Sequence, residues 1–235
     1  MANDYFSFKH FTISQDRSAF KVGTDGVILG AYADVKGAEK ILDIGSGTGL
    51  IAIMLAQRSK AEIFALEPDK DSFDQLLENI SGCNWRDRIH GVNASLQDYD
   101  PGFRFNLIIS NPPYFINSIR NPDARKASAR HNDTLSQEEL LSGVVRLLEE
   151  GGSFEVVMPY AEGNILIASA AGYGLYCNKI LKIKPSPASQ IRRVVLTFNR
   201  FKSKQTEKFL TIEHGPRHEF TEDYRTLTRD FYLKF

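Results

Sequence analysis

The run Ile41-Leu42-Asp43-Ile44-Gly45-Ser46-Gly47-Thr48-Gly49 restricts this chain more than any other segment. An apolar strand passes through three alternating glycines into the helical segment Leu50 to Gln57, the opening move of a wound parallel sheet. Glycine lets backbone amides approach a ligand closely, and the helix N-terminus beyond it offers unpaired N–H donors. A dinucleotide fingerprint sets its third glycine three residues after the second, whereas here the interval is two. No Gly-Lys-Ser/Thr ending follows, which excludes a phosphate loop. The loop suits a nucleoside better than a pyrophosphate.

Downstream, short apolar runs alternate with amphipathic segments. Strands are expected at Lys40 to Ile44, Glu62 to Leu66, Ile89 to Val92, Phe105 to Ser110 and Ser153 to Met158, with helices at Leu50 to Gln57, Asp69 to Ile80, Ser136 to Glu149 and Glu162 to Ala171. Ser136 followed by Glu139 is a capping box, and Gly151-Gly152 reads as that helix's stop. Lys179 to Lys184 and Ile191 to Asn199, joined by Pro185-Ser186-Pro187-Ala188-Ser189, read as an antiparallel hairpin at a sheet edge. Thr221 caps a final helix expected to run to about Leu233. Residues 1 to 35 read as an N-terminal extension with exposed aromatics and a glycine-rich turn, Lys21-Val22-Gly23-Thr24-Asp25-Gly26. No linker divides the chain, so residues 1–235 are expected to form a single domain.

Two polar groups stand behind the glycine loop. Glu67 ends the second strand twenty residues beyond Gly47, where a carboxylate can accept from both ribose hydroxyls; in isolation it would read as a solvated strand-end acid. At the third strand end, Asn93 and Ala94 offer a side-chain amide and a backbone N–H to an adenine edge, with Asp98 as a competing candidate.

The fourth strand runs into Ser110-Asn111-Pro112-Pro113-Tyr114. Carboxyl ends of adjacent parallel strands converge on one crevice, so this turn should face the nucleoside. The arrangement suits methyl transfer to a planar amine, whose nitrogen is a poor nucleophile and gains positive charge in the transition state. The Asn111 side-chain oxygen and the Pro112 carbonyl can each accept one N–H, aiming the nitrogen lone pair at a methylsulfonium carbon. Tyr114 can stack on an extruded base. No strong general base is needed, because the proton becomes acidic only once the methyl arrives.

These motifs resemble those of the class I S-adenosylmethionine-dependent methyltransferases, with Asp43 to Gly49 as the cofactor loop and Asn111-Pro112-Pro113-Tyr114 as the amino-methylating motif. The resemblance implies a Rossmann-like α/β fold with a mostly parallel seven-stranded sheet and a C-terminal antiparallel hairpin. Phe8-Lys9-His10-Phe11, Lys21 to Gly26, Ile108 to Tyr114 and Tyr224 to Leu233 are similar to the bacterial family that N6-methylates adenine 37, just 3′ of the anticodon, in tRNA1(Val). That likeness spans nearly the whole chain. It implies that Lys21 and Thr24 lie in a segment closing over the methionine end of the cofactor. It also implies Asp43, Gly45, Gly47, Gly49, Glu67, Asn93, Ala94 and Asn111 as cofactor contacts. Relatives often hold aspartate at the position of Asn93.

A tRNA partner gives the charge pattern a purpose. Lysine plus arginine and aspartate plus glutamate both number 29, yet Lys179 to Lys208 holds nine bases against the single acid Glu207. Arg120, Arg125, Lys126 and Arg130 fall in a long polar connection after Tyr114, and Arg192 and Arg193 in the hairpin; all six are candidate RNA contacts. Competing readings are glutamine N5-methylation of a protein, DNA adenine methylation, and an RNA-binding protein without catalysis. Release-factor methylating enzymes usually carry a helical domain ahead of the cofactor loop, where about 40 residues stand here.

No metal is expected. His214 and His218 have the spacing of a helical metal pair, but Gly215-Pro216 interrupts them, and Cys83 and Cys177 lie far apart. No apolar run reaches the roughly 18 residues of a membrane span, and the N-terminus lacks a secretory pattern. The expectation is a cytoplasmic protein with no obligatory protein partner.

Overall fold

The computed structural model describes residues 3–18, 20–113, 135–215 and 218–235. The chain begins with an antiparallel ribbon, β1 (Tyr5–Ser7) and β2 (Thr12–Ser14), followed by helix α1 (Thr24–Tyr32). Strand and helix then alternate through β3 (Lys40–Ile44), α2 (Leu50–Arg58), β4 (Glu62–Leu66), α3 (Lys70–Ser81), β5 (Ile89–Val92) and β6 (Phe105–Ser110). Beyond residue 134 come α4 (Gln137–Leu147), β7 (Leu148–Pro159), α5 (Tyr160–Ala170), β8 (Tyr176–Lys184), β9 (Arg193–Asn199), β10 (Thr206–Thr211) and α6 (Glu222–Thr228).

The central sheet runs in the order β10-β8-β9-β7-β6-β3-β4-β5. Pairings from β5 through β7 are parallel, and β9 is antiparallel to both its neighbours. Both faces are covered. Ile41, Leu107 and Ile109 join one apolar cluster, under α1 and α2, while Leu42, Ile44 and Ile108 join another on the opposite face. Burial on both sides explains why these strands read as unbroken apolar runs.

All seven expected strands form, and an eighth joins them. β10 lies parallel to β8, so the hairpin is internal and β10 is the edge. Its sequence, Thr-Glu-Lys-Phe-Leu-Thr, carries the charges with which edge strands resist further pairing, and those charges hid it. Gly151-Gly152 does not stop α4. The helix ends at Leu147, and the glycines sit where β7 shifts register against β6. The capping box forms as the spacing predicts: the Glu139 N–H donates to Ser136 Oγ and the Ser136 N–H to Glu139 Oε2. Thr221 caps α6, which stops at Thr228, short of Leu233.

The N-terminal aromatics divide. Tyr5 and Phe20 are exposed, but Phe8 and Phe11 are buried. Phe8 stacks on Phe11 and Tyr232 at centroid distances of 4.7 and 5.8 Å, and the Lys9 N–H donates to Phe231 O. The two chain ends thus share one apolar cluster. The glycine-rich segment is no simple turn either, because Thr24 opens α1.

Candidate active site at the strand ends

Ile44, Leu66 and Ser110 are register partners in three adjacent parallel strands, so the glycine loop, Glu67 and Asn111 emerge at one edge of the sheet. The loop is pinned to β4: the Gly45 and Ser46 N–H groups both donate to Leu66 O, at 2.9 and 3.0 Å. Gly45 and Gly49 adopt φ of 70° and 81°, in the left-handed region that favours glycine. A Cβ at Gly49 would stand 2.5 Å from Leu76 Cδ1 on α3, so the close packing of α3 also requires glycine there. A Cβ at Gly45 would meet nothing within 4 Å, so open space flanks the loop. Gly49 is the N-cap of α2 and supplies no side-chain acceptor to the first-turn amides, of which the Ala52 N–H lies near the Asp43 carboxyl.

Asp43 is fully buried, and neither carboxylate oxygen has a hydrogen-bond partner of normal geometry among the described residues. Ser46 Oγ donates instead to the Asp43 carbonyl, at 2.9 Å. Burial pushes the Asp43 carboxyl up to about 7, against the weaker downward pull of the nearby Ser46 hydroxyl and Ala52 N–H.

Glu67 is 7% exposed. Its Oε2 accepts from the Gly47 N–H at 2.8 Å and its Oε1 from the Asp69 N–H at 3.0 Å. Burial raises its pKa, and those two amides oppose the rise. Asn93 Nδ2 is committed to bracing this corner, donating to Glu67 O and Pro68 O at 2.9 and 3.1 Å. Asn93 Oδ1 is the side-chain atom left over. Asp98 is occupied locally, accepting from Ser95 Oγ at 2.6 Å.

Asn111 and Pro112 follow β6 directly, and Pro112 is buried. Ser110 Oγ donates to Ile44 O at 2.9 Å, which locks the start of this turn to the strand bearing the glycine loop. The first turn of α1 packs beside it: a Cβ at Gly26 would lie 3.7 Å from Asn111 Nδ2 and 3.3 Å from Leu50 Cδ2. Thr24 is therefore near the crevice, while Lys21 Nζ reaches Asn3 O at 3.5 Å. Tyr114, Arg120, Arg125, Lys126 and Arg130 lie outside the described residues.

The hairpin arginines differ in surroundings. Arg193 Nε donates to Asp25 Oδ2 at 2.7 Å, joining β9 to the first turn of α1, whereas Arg192 is exposed. Thr24, Arg192 and Arg193 share the wall of a cleft of about 390 Å³. The sequence reading missed Asp25 and also Asn79. Asn79 Nδ2 donates to Thr48 O and Ser14 O at 2.8 and 2.9 Å, and its Oδ1 accepts from the Ser14 N–H, so it ties the glycine loop to β2. A polar residue on the apolar stripe of α3, one turn from Leu76, was the available signal. Among the described residues no cluster of three or more His, Cys, Asp or Glu side chains is placed to hold a metal, and no helix is long and apolar enough to cross a membrane.

Comparison with known proteins agrees with this geometry. The methyltransferase small domain family matches residues 26–164. A Bacteroides thetaiotaomicron protein named tRNA1(Val) (adenine(37)-N6)-methyltransferase is 44% identical, with 99% of each chain covered. A protein of the same name from Trichodesmium erythraeum is also 44% identical, over the full length of both. Among solved structures, one described as a predicted O-methyltransferase from Agrobacterium tumefaciens superposes with a TM-score of 0.67 at 21% identity, covering 88% of this chain and 96% of that one. A glycopeptide N-methyltransferase complexed with S-adenosyl-L-methionine gives 0.56 at 14%, covering 77% and 96%. These last two speak for the fold alone. The chain belongs to the methyltransferase small domain family, alongside the bacterial tRNA1(Val) (adenine(37)-N6)-methyltransferases.

Proposed function

We propose that this chain transfers a methyl group from S-adenosylmethionine to the exocyclic N6 of an adenine in tRNA, at adenine 37 of tRNA1(Val), the substrate in its relatives' names. The register between Ile44 and Ser110 carries the reading, because it sets a nucleoside-type loop and an amine-orienting turn at neighbouring strand ends. The residues present fit the donor. Glu67 keeps lone pairs beyond its two amide bonds for ribose hydroxyls, Gly45 borders open space, and the α2 amides stand uncapped. When bound, S-adenosylmethionine supplies an electrophilic methyl carbon. Asn111 Oδ1 and the Pro112 carbonyl accept the two N–H bonds of the target amine, and Tyr114 stacks on the base. Exposed Arg192, with Arg120, Arg125, Lys126 and Arg130, supplies phosphate contacts.

Purified protein incubated with labelled donor and separate pools of tRNA, DNA and release factor tests the substrate class, with the modified product identified by mass spectrometry. N6-methyladenosine in the anticodon loop of tRNA1(Val) is the expected result. Label in release factor and in no nucleic acid would replace the proposal with glutamine methylation.

A further inference from the structure

Helix α3 carries a polar row where it meets the N-terminal segment. Gln75, Glu78 and Asn79 stand three and four positions apart, which groups them on one side of the helix, beside the apolar Leu76 and Ile80 that join the core. Gln75 is fully buried and Asn79 is 4% exposed. Carboxamides so placed are costly unless they are paired.

Asn79 pairs with both backbone groups of Ser14, as a neighbouring strand would: its Nδ2 donates to Ser14 O at 2.9 Å and its Oδ1 accepts from the Ser14 N–H at 2.8 Å. Its second N–H goes to Thr48 O in the glycine loop, at 2.8 Å. One turn earlier, Gln75 Oε1 accepts from the Arg17 N–H at 2.8 Å, and Glu78 pairs with the Arg17 guanidinium. The segment fastened in this way runs along the loop, for a Cβ at Gly47 would lie 3.9 Å from Ser18 Oγ. The chain then enters α1 at Thr24, and Gly26 packs against Asn111. Residues 14–18 thus stand beside the glycine loop, and the start of α1 beside the reaction turn.

Successive loop residues are tied by different elements. The Gly45 and Ser46 N–H groups donate to Leu66 O, the Gly47 N–H donates to Glu67 Oε2, and the Thr48 carbonyl accepts from Asn79. A loop with three glycines has much backbone freedom to lose on closing around a ligand, so each tie made beforehand strengthens binding. Aspartate at 79 would lack the two N–H donors and glutamine would be one methylene too long. We propose that Asn79 and Gln75 are positioning residues for the methyl donor: by fastening residues 14–18 along the glycine loop, they hold the loop in its binding shape and set that segment as a wall of the site, a role that rests on the proposed use of S-adenosylmethionine.

Hydrogen exchange of the full parent chain, with and without saturating S-adenosylmethionine, tests this with no substitution. Exchange across residues 14–18 should slow by about tenfold or more with donor present, while a peptide covering β10 stays unchanged. Asn79→Ala should raise the KM for donor by about tenfold or more, with kcat at saturating donor and the KM for tRNA within about threefold of the parent. Gln75→Met, close in size, should shift the donor KM in the same direction. A purely structural role would lower the melting temperature and leave the donor KM of the folded enzyme as it is. Donor uptake by the parent with exchange across residues 14–18 unchanged, or a parent-like donor KM in both variants, would overturn this role alone. A parent chain that takes up no donor would overturn it together with the proposed reaction.

Discussion

The Gly47 N–H donates to Glu67 Oε2 across 2.8 Å, so one buried carboxylate holds the shape of the glycine loop that it is proposed to share with the donor's ribose. Its other oxygen takes the Asp69 N–H, at the start of α3. Glu67→Ala therefore strands two amides as well as removing an acceptor. Donor affinity measured by calorimetry should fall by about 10-fold or more, with a loss of about 1–3 kcal/mol in unfolding stability. A variant that binds S-adenosylmethionine as the parent does would remove Glu67 from the ribose site.

Asn111 is proposed to act on the reaction rather than on the loop. Its oxygen is proposed to meet positive charge that appears on the amine only as the methyl transfers, so its loss should act on turnover. Asn111→Ala is expected to lower single-turnover methylation of tRNA by about 10²-fold or more. Binding of tRNA should stay within a few-fold of the parent. A loss confined to tRNA affinity would assign Asn111 to docking alone.

Gly45 and Gly49 share positive φ but differ in what surrounds them, which separates a binding role from a packing role. Gly45→Ala adds a methyl group to open space and pays only the left-handed backbone strain, about 1–2 kcal/mol, while intruding where the donor should lie. Gly49→Ala adds a collision with Leu76 to the same strain and should destabilise by roughly 2–4 kcal/mol. Thermal melts without donor should rank Gly49→Ala lower, while donor titration of the still-folded Gly45→Ala chain should show the affinity loss.

The sheet was legible where local pattern and tertiary environment agree. β3, β4 and β6 are apolar because both faces are buried, and the capping box at Ser136 is a purely local device. β10 escaped because an edge strand hides its pairing behind Glu207 and Lys208. Gly151-Gly152 misled because a helix stop and a strand irregularity use the same residue. At the site, Glu67 and Asn111 could be placed from strand ends alone, since parallel register brings them together. Asp25 and Asn79 could not, because their partners Arg193 and Ser14 lie 168 and 65 residues away in sequence.

Arg192 and Arg193 are neighbours in sequence with different surroundings. Arg192→Ala, at an exposed position, should weaken tRNA binding and reduce the slope of log affinity against log salt by about 0.7–0.9. Arg193→Ala breaks a half-buried ion pair to the first turn of α1, so a double-mutant cycle with Asp25→Ala should return a stability coupling of about 0.5–1.5 kcal/mol. Equal salt slopes in the two single variants, with zero coupling, would place both arginines on the RNA.

Asp43 titrates at about 7 in the folded chain and near 4 in a solvated one. Between those values the folded state keeps a proton that the unfolded state has released, so stability is fully present below about pH 4 and falls as pH rises, by about 1.4 kcal/mol per unit, levelling off above about 7. Glu155, also raised to about 7 by burial, contributes a fall of the same sign. Glu139 runs the other way: its pKa is lowered by the capping bonds at Ser136, so its contribution is lost as pH falls. Glu67, whose pKa burial also raises, adds a third fall, so Asp43→Asn removes one of three and leaves Glu139 in place. Urea unfolding of parent and variant across about pH 4 to 8 should therefore give a stability difference, parent minus variant, that declines steadily up to about pH 7 and is flat beyond it. A flat difference throughout would mean that Asp43 is ionised in the folded chain, which would require a partner for its carboxylate in solution.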